Sequence, residues 1–259
     1  MNERICLHID ARKLQRIKLD GPAINVMMKG AAEQLFPLRR LARIHLTGTP
    51  EQGLDAFLAC ANQHIPVAFF DGFGRLKAML YLPKENNTVL GHWLEALHTD
   101  LGIKTIYTQW QENIQLHWFA QSKAKWIPHG RISRSKGQAH DAKIIEESVA
   151  KELRKIHQHN QWTDAQPWME GMLRVQLAQI LDQFGLNPHT HEHRELLSDL
   201  EKPLQQMLKV EIAIWLIHDR PTAVSGKELT TLYERIAETV QHEAEKALWR
   251  LQYAIERIV

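Results

Sequence analysis

Three histidines alternate with other residues immediately after a glycine–proline turn, and nitrogen ligands with this spacing can hold a metal ion. The run is His189-Thr190-His191-Glu192-His193, preceded by Gly185-Leu186-Asn187-Pro188. Alternate side chains of an extended segment point to the same side, so these imidazoles could share one ion. A solvated polar loop explains the same residues, and the pattern alone favours that interpretation over a metal site.

Carboxylates that could complement a histidine ligand occur at two other places. Ser198-Asp199-Leu200-Glu201 has the capping-box spacing, which predicts a helix starting at Ser198 with Asp199 in its first turn. A carboxylate there is favoured by the helix dipole and suits a hard divalent cation. Glu146 and Glu147 are adjacent on a predicted helix, about 100° apart, so one can face the core and the other solvent. Support of the helix start or surface pairing with lysine explains these acids as well.

A basic segment lies between residues 121 and 140, which contain no acid. Pro128, Gly130 and Gly137 predict that it is a loop. Its cations could bind nucleic-acid phosphates without reading sequence, and Trp126 could stack on a base. A solvated connector is the alternative. The candidate DNA-binding residues are Lys123, Lys125, Arg131, Arg134 and Lys136.

The composition limits the class of protein. Of 259 residues, 44% are hydrophobic and 24% charged, which excludes collagen-like and disordered chains. The two cysteines are too few for a disulfide framework or a four-cysteine zinc site, which indicates a reducing compartment. No apolar run approaches the roughly 20 residues of a membrane span, and the N-terminus lacks a secretory pattern. We therefore expect a cytoplasmic protein. The net charge is only +2, but 15 histidines could make the surface more basic.

The hydrophobic periodicity divides the chain in two. Short β-rich runs are predicted at residues 5–9, 14–18, 23–28, 41–46, 65–70 and 75–81, with one helix opening at Thr49-Pro50. After residue 88 the period becomes helical, with helices predicted at 90–101, 106–118, 143–158, 167–184, 198–217 and 226–259. The fold class is therefore α+β, with a small N-terminal β-rich domain over residues 1–83 and a larger all-α domain over 84–259.

Four segments resemble one known family, the CRISPR adaptation integrases. They are RIKLDGPAIN at 16–25, PLRRLARIHLTG at 37–48, HIPVAFFDGFGRLKAML at 64–80 and GLNPHTHEHRELLSDLEKPL at 185–204. This family is Cas-one, also called the CRISPR-associated endonuclease. The segment between Pro188 and Asp199 is shorter than the family pattern, so the chain resembles a divergent member.

The resemblance implies an antiviral defence enzyme, a metal-dependent DNA endonuclease and integrase that inserts spacer DNA into a CRISPR array. It implies that the N-terminal domain dimerises and that the helical domain is catalytic. IEESVA at 145–150 matches the family helix that carries a glutamate, which puts the catalytic and metal-binding residues at Glu147, His193 and Asp199, with His191 in reserve. The implied cofactor is magnesium or manganese. The implied partners are double-stranded or branched DNA, a second copy of the chain and a small Cas-two-type protein.

Two other functions fit the same residues. The compressed segment before Asp199 is compatible with a catalytically degenerate DNA-binding scaffold of the same fold. Zinc held by His189, His191 and His193 would instead make the chain a zinc-binding interaction protein.

Overall fold

A computed structural model describes residues 4–83, 88–130 and 138–257 of the chain. Strands come first and a larger set of helices follows, which confirms the α+β class. Two compact units can be distinguished: Met1–Lys84 with Ser225–Arg235, and Glu85–Val224 with Ile236–Val259. Within the described ranges, no helix combines the length and apolar character that a membrane crossing needs.

The first unit contains two sheets. One has the strand order β1-β5-β6-β7, parallel except for β6 with β7, and the other is the antiparallel sheet β2-β3-β4. Their apolar residues form one core together with helix α1 (Leu54–Asn62). The short strand β4 is absent from the sequence-based prediction. The strands are β1 Ile5–Asp10, β2 Leu14–Asp20, β3 Ala23–Met28, β4 Gln34–Pro37, β5 Leu41–Thr47, β6 Val67–Phe70 and β7 Leu76–Leu80.

Helix α1 begins at Leu54 and not at Thr49, so the predicted cap is wrong. Gly53 occupies the N-cap with φ 97°, in the left-handed region that glycine tolerates. A Cβ at this position would overlap the side chain of Ile17 in β2. Close packing against β2, which the local pattern does not reveal, therefore sets the start of the helix.

A buried polar cluster lies between β1, β5 and the first turns of helix α7 (Gly226–Glu256). His45 is fully buried, with Nδ1 3.3 Å from the sulfur of Cys6. The guanidinium of Arg43 lies 5.9 Å from the centre of the Tyr233 ring. Burial lowers the pKa of His45 well below its usual range and raises the pKa of Cys6 above the ordinary thiol value. The pair is therefore a neutral thiol and a neutral imidazole, not the thiolate that a cysteine nucleophile requires.

The second unit is built from helices that the periodicity predicts in number but not in extent. The predicted helix 90–101 ends at Glu95 and is followed by a single 3₁₀ turn, Ala96–His98. Asp100 then caps the next helix by accepting hydrogen bonds from the backbone N–H groups of Gly102 and Ile103. The helices are α2 Val89–Glu95, α3 Leu101–Trp126, α4 Gln138–Lys155, α5 His159–Gln183, α6 His191–Asp219 and α7 Gly226–Glu256.

Tryptophan side chains hold these helices together. A buried indole N–H needs an acceptor, and four tryptophan side chains donate to an acceptor on a neighbouring helix. These hydrogen bonds fix the helix positions, while the rings bury apolar area. The hydrogen bonds are Trp110 to the Ala247 carbonyl at 2.7 Å, Trp118 to Glu243 Oε2 at 3.0 Å, Trp126 to Ser148 Oγ at 2.9 Å and Trp162 to the Lys209 carbonyl at 3.0 Å.

The predicted capping box at Ser198 is wrong, because Ser198 lies inside α6. A reciprocal capping box instead starts α7, where Ser225 N–H donates to Glu228 Oε2 at 2.9 Å and Glu228 N–H donates to Ser225 Oγ at 3.2 Å. Both sites have the Ser-x-x-Glu spacing. They differ in what precedes them: Arg220 in the left-handed conformation and then Pro221 end α6 before Ser225, whereas helix-forming residues lead into Ser198.

The buried His45 makes stability fall in mild acid. The unfolded imidazole binds a proton below about pH 6.5 while the folded one stays neutral, so the unfolded state binds more protons and stability drops as pH falls. We expect urea unfolding between about pH 7.5 and 5 to show a loss of up to about 1.4 kcal/mol per pH unit from this group. His45→Gln should flatten that dependence. A residual slope is expected from His8, whose pKa burial also lowers, and an unchanged slope in the variant would contradict the assignment.

Candidate functional site

The turn between α5 and α6 positions the first candidate ligand. Helix α5 ends at Gln183, Gly185 follows with φ 69°, and α6 begins at His191. Asn187 organises the turn, since its side-chain Oδ1 accepts from the His189 N–H at 3.0 Å and its carbonyl accepts from the Thr190 N–H at 3.2 Å. The predicted helix-ending role of this glycine–proline segment agrees with the structure.

His193 lies in the first turn of α6 and is buried, with 7% of its surface exposed. Its Nδ1–H donates to the carbonyl oxygen of Asn187 at 3.1 Å. A carbonyl only accepts, so Nδ1 carries a proton, and in the neutral form of the ring the lone pair is then on Nε2. Among the described residues, that buried Nε2 has no hydrogen-bond partner. A backbone-oriented neutral imidazole with an available nitrogen is the arrangement that metal-ligating histidines use.

Asp199 is also buried on α6, and it is held by α3. Its Oδ2 accepts a hydrogen bond from the Tyr107 hydroxyl at 2.9 Å, and its Oδ1 lies 3.4 Å from Lys202 Nζ. Burial, together with the charge of Asp199, raises the pKa of Tyr107, so the phenol keeps its proton and donates it. Asp199 lies well inside the helix and not in its first turn, so the prediction that the helix start holds its carboxylate is wrong. The hydrogen bond from Tyr107 orients the carboxylate instead.

The two neighbouring glutamates of α4 differ in their surroundings, as their separation of about 100° predicts. Glu146 is half-buried and forms a 2.6 Å ion pair with Lys209 on α6, whereas Glu147 is exposed. Across the described residues, Glu147, His193 and Asp199 do not form a group whose ligand atoms all lie within 4.8 Å of one another. The three candidate ligands are therefore not gathered in the metal-free chain.

The histidine run is not extended, which corrects the prediction that its three imidazoles point the same way. His191 and His193 both belong to α6, where residues two apart lie about 200° apart around the axis. His193 consequently points inward. The His191 side chain is 73% exposed and faces Glu195, and His189 is an exposed residue of the turn.

The basic segment begins within a helix and not in a loop, contrary to the prediction. Lys123 and Lys125 occupy the last turn of α3, and the Lys125 ammonium pairs with Glu211 of α6. Trp126 is fully buried, so the predicted stacking of a base on this side chain is wrong. Arg131, Arg134 and Lys136 lie outside the described residues.

A protein-family model matches part of the chain. The model described as CRISPR associated protein Cas1 matches residues 10–123, a little less than half of the sequence. Over these residues the chain is similar to the Cas1 family. No curated protein sequence matches it.

Solved structures extend this likeness to the fold. A Cas1 protein from Thermotoga maritima has a TM-score of 0.66 at 12% identity, covering 95% of this chain and 97% of that one. A casposase bound to integration product has a TM-score of 0.61 at 10% identity, covering 95% and 90%. A chain of a Cas6-RT-Cas1–Cas2 complex has a TM-score of 0.64 at 12% identity and covers 99% of this chain, which matches 35% of that longer chain.

The helical unit also has a charged network that the residue patterns do not indicate. Arg174 on α5 donates two hydrogen bonds to Glu201 on α6, at 3.1 and 2.8 Å. Burial raises the pKa of Glu170, and Lys209 on α6 opposes that rise. These contacts join residues that are far apart in the sequence and lie on different helices. No short motif indicates them, because a prediction would first have to establish which helix faces pack together.

Tyr107 is expected to stabilise the fold through Asp199. Tyr107→Phe removes only the hydroxyl and leaves a buried carboxylate without that donor, which should lower the free energy of unfolding by about 1.5–3 kcal/mol. Urea denaturation at neutral pH measures the change. Tyr253→Phe is the matched control, because Tyr253 is 63% exposed and should show almost no effect. Equal stability of the two variants would contradict the buried hydrogen bond.

Proposed function

We propose that this chain is a Cas1-type integrase, which cuts and joins DNA strands and thereby inserts spacer DNA into a CRISPR array. The observation that carries the proposal is His193, whose buried Nε2 has no partner in the described part of the chain. Burying a polar atom without a partner costs free energy, so a ligand for that nitrogen is expected. Asp199 lies on the same helix with its carboxylate oriented by Tyr107. The family match and the likeness to a casposase support the same reaction class.

The donor types fit a divalent metal ion. One imidazole nitrogen and two carboxylates, from His193, Asp199 and Glu147, suit magnesium or manganese, with the nitrogen favouring manganese. Glu147 is exposed on α4, so the proposed site requires its side chain to turn toward the other two. When bound, the ion would polarise the scissile phosphate and stabilise the charge that develops as a DNA 3′-hydroxyl attacks.

The protein's own contribution is to hold the groups in place. The Asn187 carbonyl fixes the ring of His193 and directs Nε2 away from it, and Tyr107 fixes the carboxylate of Asp199. In strand transfer one phosphodiester bond forms as another breaks, so the reaction needs positioned charge and no external energy source. Oriented ligands are therefore the main requirement for catalysis.

The same proposal includes the partners. Lys123, Lys125, Arg131, Arg134 and Lys136 would bind DNA phosphates. Lys125 would have to exchange its pairing with Glu211 in order to bind a phosphate. A homodimer formed through the N-terminal unit and a small Cas-two-type partner complete the proposed assembly, and magnesium or manganese is its cofactor.

A DNA-binding scaffold without catalysis is the second candidate function. It is favoured by the exposure of Glu147 and by the separation of the three candidate ligands in the described structure. In that case the fold and the basic segment would serve DNA binding alone.

Ligand variants should separate the two functions. Glu147→Gln, His193→Ala and Asp199→Ala should each slow manganese-dependent integration of labelled branched DNA by about 100-fold or more, because a lost ligand removes several kcal/mol of charge stabilisation. Glu146→Gln is the matched control, since it removes the adjacent carboxylate, which pairs with Lys209. Its integration rate should stay within a few-fold of wild type.

Two results would reject parts of this proposal. Full activity in Glu147→Gln or Asp199→Ala would remove the site assignment. Tight DNA binding by the wild-type protein, with neither nicking nor integration in manganese or magnesium, would favour the scaffold.

DNA affinity should depend on salt through the basic segment. Replacing Arg131, Arg134 and Lys136 with alanine should reduce the slope of log affinity against log salt by about 0.9 for each phosphate that the variant no longer neutralises. Fluorescence anisotropy with duplex DNA, over roughly 50 to 300 mM potassium chloride, measures the slope. Lys104→Ala, an exposed change near the other end of α3, is the control. An unchanged slope in the triple variant would place the DNA-binding surface elsewhere.

A further inference from the structure

Two imidazoles and one carboxylate meet on the surface of the helical unit. His191 and Glu195 are one turn apart on α6, with Nδ1 3.8 Å from Oε1, and His98 comes from the 3₁₀ turn that follows α2, with Nε2 4.0 Å from Glu195 Oε2. Each carboxylate oxygen therefore faces a different imidazole. The ligand atoms of the three residues all lie within 4.8 Å of one another. In the described ranges, no other group of three or more histidine, cysteine, aspartate or glutamate residues meets this criterion.

The separations are close to what a zinc ion requires. Tetrahedral zinc with nitrogen and oxygen ligands at about 2.0–2.2 Å places those ligand atoms roughly 3.3–3.5 Å apart. The present pairs are 3.8 and 4.0 Å apart, so small side-chain rotations would complete the geometry. The side chains of His98, His191 and Glu195 are 55%, 73% and 44% exposed, and such side chains rotate at low cost.

None of the three ligand groups is already used in another strong interaction among the described residues. The two imidazole–carboxylate separations exceed hydrogen-bonding distance. By contrast, His117 lies 3.2 Å from Glu243, whose carboxylate also accepts from Trp118, so that pair is committed to the core. The pair of His92 and Glu95, 3.6 Å apart on α2, has no third ligand within the described ranges.

We propose that His98, His191 and Glu195 form a zinc-binding site that is separate from the DNA-processing site. Two imidazoles and a carboxylate form a zinc donor set that leaves the fourth coordination position to water. Zinc binds imidazole nitrogen more readily than magnesium or calcium does, because those two ions prefer oxygen ligands. The ion joins the turn after α2 to the first turn of α6. The site does not rest on the proposed DNA activity, because the buried His193 points to the opposite side of α6.

A bound ion at this position stabilises the start of α6. That turn also carries His193, whose ring depends on the Asn187 carbonyl in the turn that leads into the helix. Any ligand that binds only the folded chain raises its stability. Bound zinc therefore limits fraying of the first turn of α6.

Metal titration of the full-length protein without DNA tests the site. A His193→Ala variant, which removes the proposed catalytic ligand, should after stripping with a chelator still bind one equivalent of zinc chloride by isothermal titration calorimetry, and cobalt(II) in its place should give the intense visible absorption of a four-coordinate ion. His98→Ala, His191→Ala and Glu195→Ala should each weaken zinc binding at least about 100-fold. Thermal denaturation with and without zinc should show a stabilisation that these variants lose.

Two control variants make the result decisive. His92→Ala removes a surface histidine with a single acidic neighbour, and His189→Ala removes an exposed histidine of the adjoining turn. Both should bind zinc as wild type does. Loss of binding in His189→Ala with full retention in His98→Ala would return the ion to the histidine run and overturn the proposal. No saturable zinc binding by wild type would also overturn it, and integration activity measured separately would leave the proposed DNA function standing.

Discussion

The hydrogen bond from His193 Nδ1 to the Asn187 carbonyl sets the orientation on which the candidate site depends. It fixes the tautomer and turns Nε2 into a buried position without a partner among the described residues. Because Asn187 also organises the turn before α6, the start of the helix and the direction of the ring are coupled. That start then fixes the rest of the helix: Asp199 faces Tyr107 on the inside, and His191 and Glu195 face outward toward His98.

Polar contacts between helices, rather than apolar packing alone, determine the register of the second unit. Tyr107 to Asp199 connects α3 with α6, Glu146 to Lys209 connects α4 with α6, and Arg174 to Glu201 connects α5 with α6. The Tyr107–Asp199 hydrogen bond is buried and is lost when a helix shifts by a few ångströms, whereas the two ion pairs are partly exposed and contribute less. Helix α6 is therefore positioned mainly by α3, with weaker support from α4 and α5.

The sequence predicted the change from strands to helices and the presence of each long helix, because hydrophobic periodicity is a local property. The sequence-based prediction was wrong where a contact between residues distant in the sequence determines where a helix starts. Packing against Ile17 places the start of α1 at Gly53, and the capping box forms at Ser225 because Pro221 precedes it, while helix-forming residues absorb Ser198 into α6. His98 lies 93 positions before His191 in the chain, so no spacing pattern could associate it with the histidine run. The family resemblance supplied His193 and Asp199 as candidates, but only the structure shows their burial and their hydrogen-bond partners.

Direct detection of a nitrogen ligand to manganese is the sharpest test of the central claim, that His193 Nε2 binds the catalytic ion. Pulsed electron paramagnetic resonance of the manganese-loaded protein with branched DNA records the modulation caused by a coordinated imidazole nitrogen. The modulation should be present in His191→Gln, which disrupts the proposed zinc site, and absent in the double variant His191→Gln/His193→Gln. Its persistence in the double variant would show that another residue binds the ion and would contradict the account.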